Sequence, residues 1–226
     1  MDTNGGKLKE VRLTTPVTRE QLKGLEIGNV VYIDGVIYTA RESVYRKIIT
    51  DGIAPPEDFA TLGNINFHCS PAATVEADGS FNVGAVTATA SFRFSKWMAD
   101  WFRVSSAKVI IGKGGMSEED YRTLFVPVGA VYLTTVGYGT GALLGRGIKR
   151  VRDAHWLDEL GIAQAMWVLE VERFGPLLVE SDLAGNSLFE VNNRDINAGI
   201  AKLYEGLKPP SLSRYGETND RAEELI

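Results

Sequence analysis

The sequence predicts an α/β fold: one domain with a mixed central sheet and covering helices. Three observations carry this. Short apolar or alternating runs of strand length take turns with segments that are apolar at helical spacing. Asp34-Gly35 and Asp78-Gly79 lie between strand-like runs early in the chain, where hairpin turns belong. Glycine supplies 24 of the 226 residues, and many stand beside predicted strand ends, where backbone can approach a ligand closely.

The elements follow in order. Residues 8–14 alternate and read as a strand. Thr18-Arg-Glu-Gln21 has the spacing of a capping box and opens a short helix ending near Gly24. Val30–Ile33 and Val36–Thr39 flank Asp34-Gly35 as a hairpin, and residues 40–49 read as helix. Ile65–Cys69 is strand-like and is expected to stop at Ser70-Pro71. A second hairpin turn at Ala77-Asp-Gly79 precedes a strand from Phe81 to Val86. Trp97, Met98, Trp101 and Phe102 give Ser95–Phe102 a helical face. Residues 108–111 form a buried strand, 117–124 a helix with acids in its first turn, and 130–135 a strand. Residues 141–152 read as helix, 165–172 as strand and 196–207 as a last amphipathic helix. The domain is expected to span 1–208, with a polar tail from Pro209 to Ile226.

Composition narrows the function. A net charge of −5 argues against nucleic acid as the main partner, and no apolar run reaches the length of a membrane span. Without a hydrophobic leader the chain is expected in the cytoplasm. Its single cysteine, Cys69, excludes an intrachain disulfide and any metal or iron–sulfur site built from several thiolates of this chain. His68 precedes it, but neighbours on a strand point to opposite faces, so a Cys-His dyad is not expected. His155 reads as a surface residue at a helix end or in a loop.

The stretch Val109-Ile-Ile-Gly-Lys-Gly-Gly115 is the most informative. A buried run ends in a lysine among three glycines, where N–H groups and an ammonium can converge on an anion. Its spacing is not that of a nucleotide-binding P-loop. Arg41 and Arg93 also follow predicted strands, the latter beyond Thr89 and Ser91. One such arginine alone is ordinarily a solvated surface group. Together, two arginine forks and a lysine beside Thr89 suit a dicarboxylate.

Five stretches in this order and spacing resemble a known family: Gly28–Arg41, Phe67-His-Cys-Ser-Pro71, Thr89-Ala-Ser-Phe-Arg93, Ile110–Gly115, and Ala165–Glu172 with Phe174-Gly-Pro176. The chain is similar to the beta subunit of iron–sulfur hydro-lyases, that of L-tartrate dehydratase, and to the C-terminal half of class I fumarate hydratase. The resemblance runs from about Leu13 to Gly185. It implies a swivelling β/β/α domain that closes over an active site shared with an alpha subunit, expected as alpha2beta2. That partner would carry a [4Fe-4S] cluster on three cysteines, its open iron acting as a Lewis acid on the substrate hydroxyl. The resemblance assigns Thr89 to proton abstraction and Arg41 and Arg93 to a carboxylate. It assigns Lys113, with Gly114 beside it, to the distal carboxylate. The reaction implied is reversible loss of water from a 2-hydroxy dicarboxylate. The pocket flanks depart from the family pattern: Glu42 and Tyr45 stand for its usual Asp and His, and Ala90 for its second Thr. A non-catalytic binding or structural subunit is the competing reading.

Overall fold

The computed structural model describes residues 8–203 and 205–206. The chain divides into two compact units, one through Phe189 and one from Glu190. The tail from Pro209 to Ile226, and with it the expected boundary after residue 208, lies outside the described residues.

The elements run β1 (Glu10–Thr14), α1 (Arg19–Lys23), β2 (Val30–Thr39), α2 (Glu42–Tyr45), α3 (Phe59–Leu62), β3 (Ile65–Phe67), β4 (Cys69–Val75), β5 (Phe81–Ala88) and α4 (Ser95–Ser105). Then come β6 (Val109–Gly112), α5 (Glu118–Asp120), β7 (Val131–Thr135), α6 (Gly141–Arg146), β8 (Ile148–His155), α7 (Leu157–Leu160), β9 (Met166–Ser181) and α8 (Leu188–Leu203). Helices α2 and α5 run on as wider π-helical turns, Arg46–Thr50 and Tyr121–Phe125.

The main sheet has the order β1-β2-β3-β6-β7-β9-β8, with β9 also bonded to β2. Strands β1, β2, β3, β6 and β7 are parallel, and β9 runs against β2, β7 and β8. The β9–β2 pairing closes β2-β3-β6-β7-β9 into a ring, and the mixed α/β class stands. Alternation along the strands sorts the two sides. Val31, Ile33, Val109, Ile111 and Leu169 fill one cluster, while Tyr38, Ile110, Tyr132, Met166 and Val168 join the helices in the other. Helix α4 packs through Met98, Trp101, Phe102 and Ser105, all buried at helical spacing. The capping box at Thr18 forms as the sequence predicts, Thr18 Oγ1 accepting from the Gln21 N–H and the Gln21 side chain accepting from the Thr18 N–H.

Four local expectations are corrected. Asp34-Gly35 is no hairpin: β2 runs straight through it, and the pair marks a register shift opposite β9. Gly35 has φ +105°, and a Cβ there would lie 2.5 Å from Thr15 Oγ1, which accepts from the Val36 N–H at 2.7 Å. The Asp34 carboxylate is engaged by Arg12 and by the Arg173 N–H, so the pair serves a bulge, not a turn. Pro71 does not end a strand but lies inside β4, which pairs with β5 in a separate two-stranded sheet and so needs no second ladder. The helix expected over 141–152 stops at Arg146. Gly147 packs against Phe174, where a Cβ would lie 3.0 Å from Cα, and Ile148–His155 is a strand on β9. His155 therefore ends a strand, not a helix. The last helix begins at Leu188, earlier than its periodicity suggests.

Candidate active site

Because β2, β3 and β6 are parallel neighbours, their C-terminal ends open on one rim. Arg41 begins α2 two residues beyond β2. Its Nη1 donates to the Ala163 carbonyl at 2.9 Å and to Ser70 Oγ, while its buried Nε–H has no partner among the described residues. Burial, and then the like charge of nearby Arg93, push its pKa down.

The Thr89–Arg93 segment is laced to the lysine loop by backbone. The Thr89 N–H donates to His68 O at 2.7 Å, the Lys113 N–H to Thr89 O at 3.1 Å, and the Ser91 N–H to Lys113 O at 3.3 Å. Ala90 and Lys113 pair in parallel register. Thr89 is half-buried, and its hydroxyl makes no hydrogen bond with the described residues. Arg93 is exposed, its guanidinium 5.4 Å from the Phe94 ring. Lys113 lines a small cleft with Thr87, Ala88, Thr135, Gly137 and Thr140. The sequence-predicted residues Arg41, Thr89, Arg93, Lys113 and Gly114 thus lie on one rim.

The three glycines around Lys113 do different things. Gly114 has φ +75° and nothing within 4 Å of a would-be Cβ, so its backbone is open to a ligand. Gly115 has φ +71° and is crowded by Tyr121, Glu180 and Phe189. At Gly112 a Cβ would lie 2.0 Å from Ser91 Oγ and 2.4 Å from Tyr132 Oη. Only one of the three has uncrowded space around it.

Beneath the rim lies a polar cluster that sequence reasoning missed. His68 Nε2 is 2.6 Å from Tyr45 Oη and Nδ1 is 2.7 Å from Ser91 Oγ. Asn66 donates to Tyr45 Oη and Tyr132 donates to Ser91 Oγ, each at 2.7 Å. All five side chains are buried. Burial, with Arg41's charge nearby, holds the His68 pKa down at about 3, so the ring is neutral. The signal lay in polar residues spaced within apolar strands, which has no motif of its own.

Cys69 faces away from His68, into the aliphatic cluster, and burial pushes its thiol pKa up. No dyad forms. A lone buried thiol does not fit an iron–sulfur cluster, so the donor set for such a group is not in this chain. Elsewhere Glu57, Asp153 and His155 bring ligand-type atoms within 4.8 Å of one another, but His155 is bonded to Glu57 at 2.7 Å and Arg152 lies 3.8 Å from that carboxylate. They form a surface ion-pair group.

Fold and rim together define a closed α/β barrel domain with cationic side chains at its strand ends. Residues 1–192 match the family described as fumarase C-terminus, and the chain belongs to that family. It is 36% identical over 189 residues to a putative L(+)-tartrate dehydratase subunit beta of Methanocaldococcus jannaschii, covering 83% of this chain and 95% of that protein. Identity is 34% over 203 residues to a putative class I fumarate hydratase of Geobacillus stearothermophilus, covering 90% of this chain but 37% of that longer protein. It is 28% over 184 residues to the L(+)-tartrate dehydratase subunit beta of Escherichia coli K12, covering 80% and 88%. Family and relatives place the chain among the hydro-lyases, on the beta-subunit side. No helix among the described residues is long and apolar enough to cross a membrane.

Proposed function

We propose that this chain is the beta subunit of a hydro-lyase acting on a dicarboxylate of the fumarate/malate or tartrate/oxaloacetate type, and that it completes an active site with an alpha subunit in the cytoplasm, as alpha2beta2. What supports this is that Arg41, Arg93, Lys113 and the uncommitted Thr89 hydroxyl belong to neighbouring segments at one end of the sheet. Arg41 and Arg93 take one carboxylate, and Lys113 with the open Gly114 backbone takes the other. Thr89 stands beside these cations; to take the proton from the carbon beside a carboxylate, its hydroxyl must pass its own proton to a neighbouring base, since an unassisted threonine is a poor base. The negative charge that develops on that carboxylate is met by cations already in place, where preorganised charge contributes most. A [4Fe-4S] cluster held by the alpha subunit would supply a Lewis acid for the departing hydroxyl.

The test is anaerobic reconstitution with a cluster-bearing partner and a screen of hydroxy dicarboxylates. Lys113→Ala is expected to lower kcat/KM by on the order of 100-fold or more while the complex still elutes intact on size exclusion. Undiminished turnover in that variant would sink the assignment.

A further inference from the structure

The rim residues hang on short connections, yet misplacing a catalytic group by about 1 Å can cost on the order of 100-fold in rate. Something must fix the Thr89–Arg93 segment. Ser91 sits at its centre, fully buried, and cannot reach a ligand. Its hydroxyl lies 2.7 Å from both His68 Nδ1 and Tyr132 Oη, and its N–H reaches Lys113 O.

Each partner is held in turn. Tyr132 stands on β7, and its hydroxyl lies near the Gly115 N–H of the lysine loop. His68 follows β3, and through Nε2 it meets Tyr45, four residues after Arg41 on α2. Asn66 of β3 ties Tyr45 back to the sheet. A row of uncharged groups therefore connects the segments bearing Arg41, Thr89, Arg93 and Lys113, one strand deep beneath them. Bonded polar groups in a low-dielectric interior specify geometry strongly, because any other arrangement strands a donor or acceptor. Gly112 leaves the hub its space: any side chain there would meet both the Ser91 and Tyr132 hydroxyls.

We propose that Ser91 is a positioning residue whose hydroxyl, held between His68 and Tyr132, sets the placement of Thr89, Arg93 and Lys113 for the dicarboxylate without touching it. This rests on the hydro-lyase reading above. The experiment compares Ser91→Ala, Tyr132→Phe and the double variant in the reconstituted two-subunit enzyme, with Lys113→Ala alongside. Amide hydrogen exchange is read on the same chains. Ser91→Ala is expected to lower kcat/KM by on the order of tenfold or more. The double variant should be no worse than Ser91→Ala alone, since both cut the same hub. The Ser91 and Lys113 amides should exchange about tenfold faster or more while those of β9 are unchanged. Tyr132→Phe, which keeps the ring, carries the test if Ser91→Ala does not fold. Wild-type kcat/KM in Ser91→Ala beside an inactive Lys113→Ala would overturn this inference alone. Strictly additive losses, or faster exchange throughout the barrel, would overturn it too. If Lys113→Ala is fully active, the assignment of the rim as the dicarboxylate clamp falls, and exchange at Lys113 still decides whether Ser91 holds the loop.

Discussion

The two sides of the closed barrel are equally buried but chemically unlike. The aliphatic side is built from Val31, Ile33, Val109, Leu133 and Leu169, with Phe67 and Phe174 meeting edge to face at 5.6 Å. The helix-facing side carries Tyr38, Tyr45, His68, Ser91 and Tyr132. Apolar burial is non-directional and tolerates small shifts. A buried hydroxyl or imidazole must keep its partner or lose on the order of 1–3 kcal/mol. The polar side is the one beneath Arg41 and the Thr89–Arg93 segment. Stability and placement are thus divided between two faces of one sheet.

Three experiments, two of them with a control variant, test that division. The largest effect is expected from Phe174→Ala, which opens a cavity in the aliphatic cluster. It should cost about 3–5 kcal/mol in denaturant unfolding, with kcat of the surviving folded fraction nearly unchanged. An equal loss of kcat would show that the aliphatic side also sets the rim.

Gly112→Ala pushes a methyl group into the Ser91 and Tyr132 hydroxyls, at about 1–3 kcal/mol in the same unfolding assay. Unlike Phe174→Ala, it should depress kcat out of proportion to stability. Gly79→Ala at the β4–β5 turn, where a Cβ meets nothing, is its control; there only the positive φ is strained, at about 1 kcal/mol.

The smallest effect is a pH slope. His68 has a folded pKa near 3 against an ordinary 6.5, so the unfolded chain binds the extra proton between those values. Stability from this group is complete above pH 6.5 and falls by about 1.4 kcal/mol per pH unit below it. Unfolding free energies at pH 6.5 and pH 5, above the range where Asp34 and Asp78 protonate, should show that slope. In His68→Gln it should vanish; an unchanged slope there would assign it to another group.

The fold class and the rim were legible because each rests on local pattern. The strands at 109–112 and 131–135 are unbroken apolar runs, and Gly-Lys-Gly-Gly stands out at the end of the first. What was not legible depended on partners far away in sequence. Asp34-Gly35 carries hairpin chemistry, but Arg12 and Arg173 claim the carboxylate and β9 supplies the pairing. Residues 148–155 do not alternate cleanly, because two register shifts against β9 break the period. His68, Ser91 and Tyr132 have no spacing that joins them; only the ring of strands brings them together.

Closure of that ring also bears on how the protein avoids sticking to itself. Among the described residues, β2, β3, β6, β7 and β9 are paired on both sides, so the main sheet offers free edges at β1 and β8 alone. An unpaired edge is a template for another chain. Both edges are charged: Glu10 and Arg12 punctuate β1, while Lys149, Arg150, Arg152 and Asp153 crowd β8. A second molecule adding a strand there would have to strip water from these side chains, so the apolar runs that build the barrel are kept from recruiting copies of themselves.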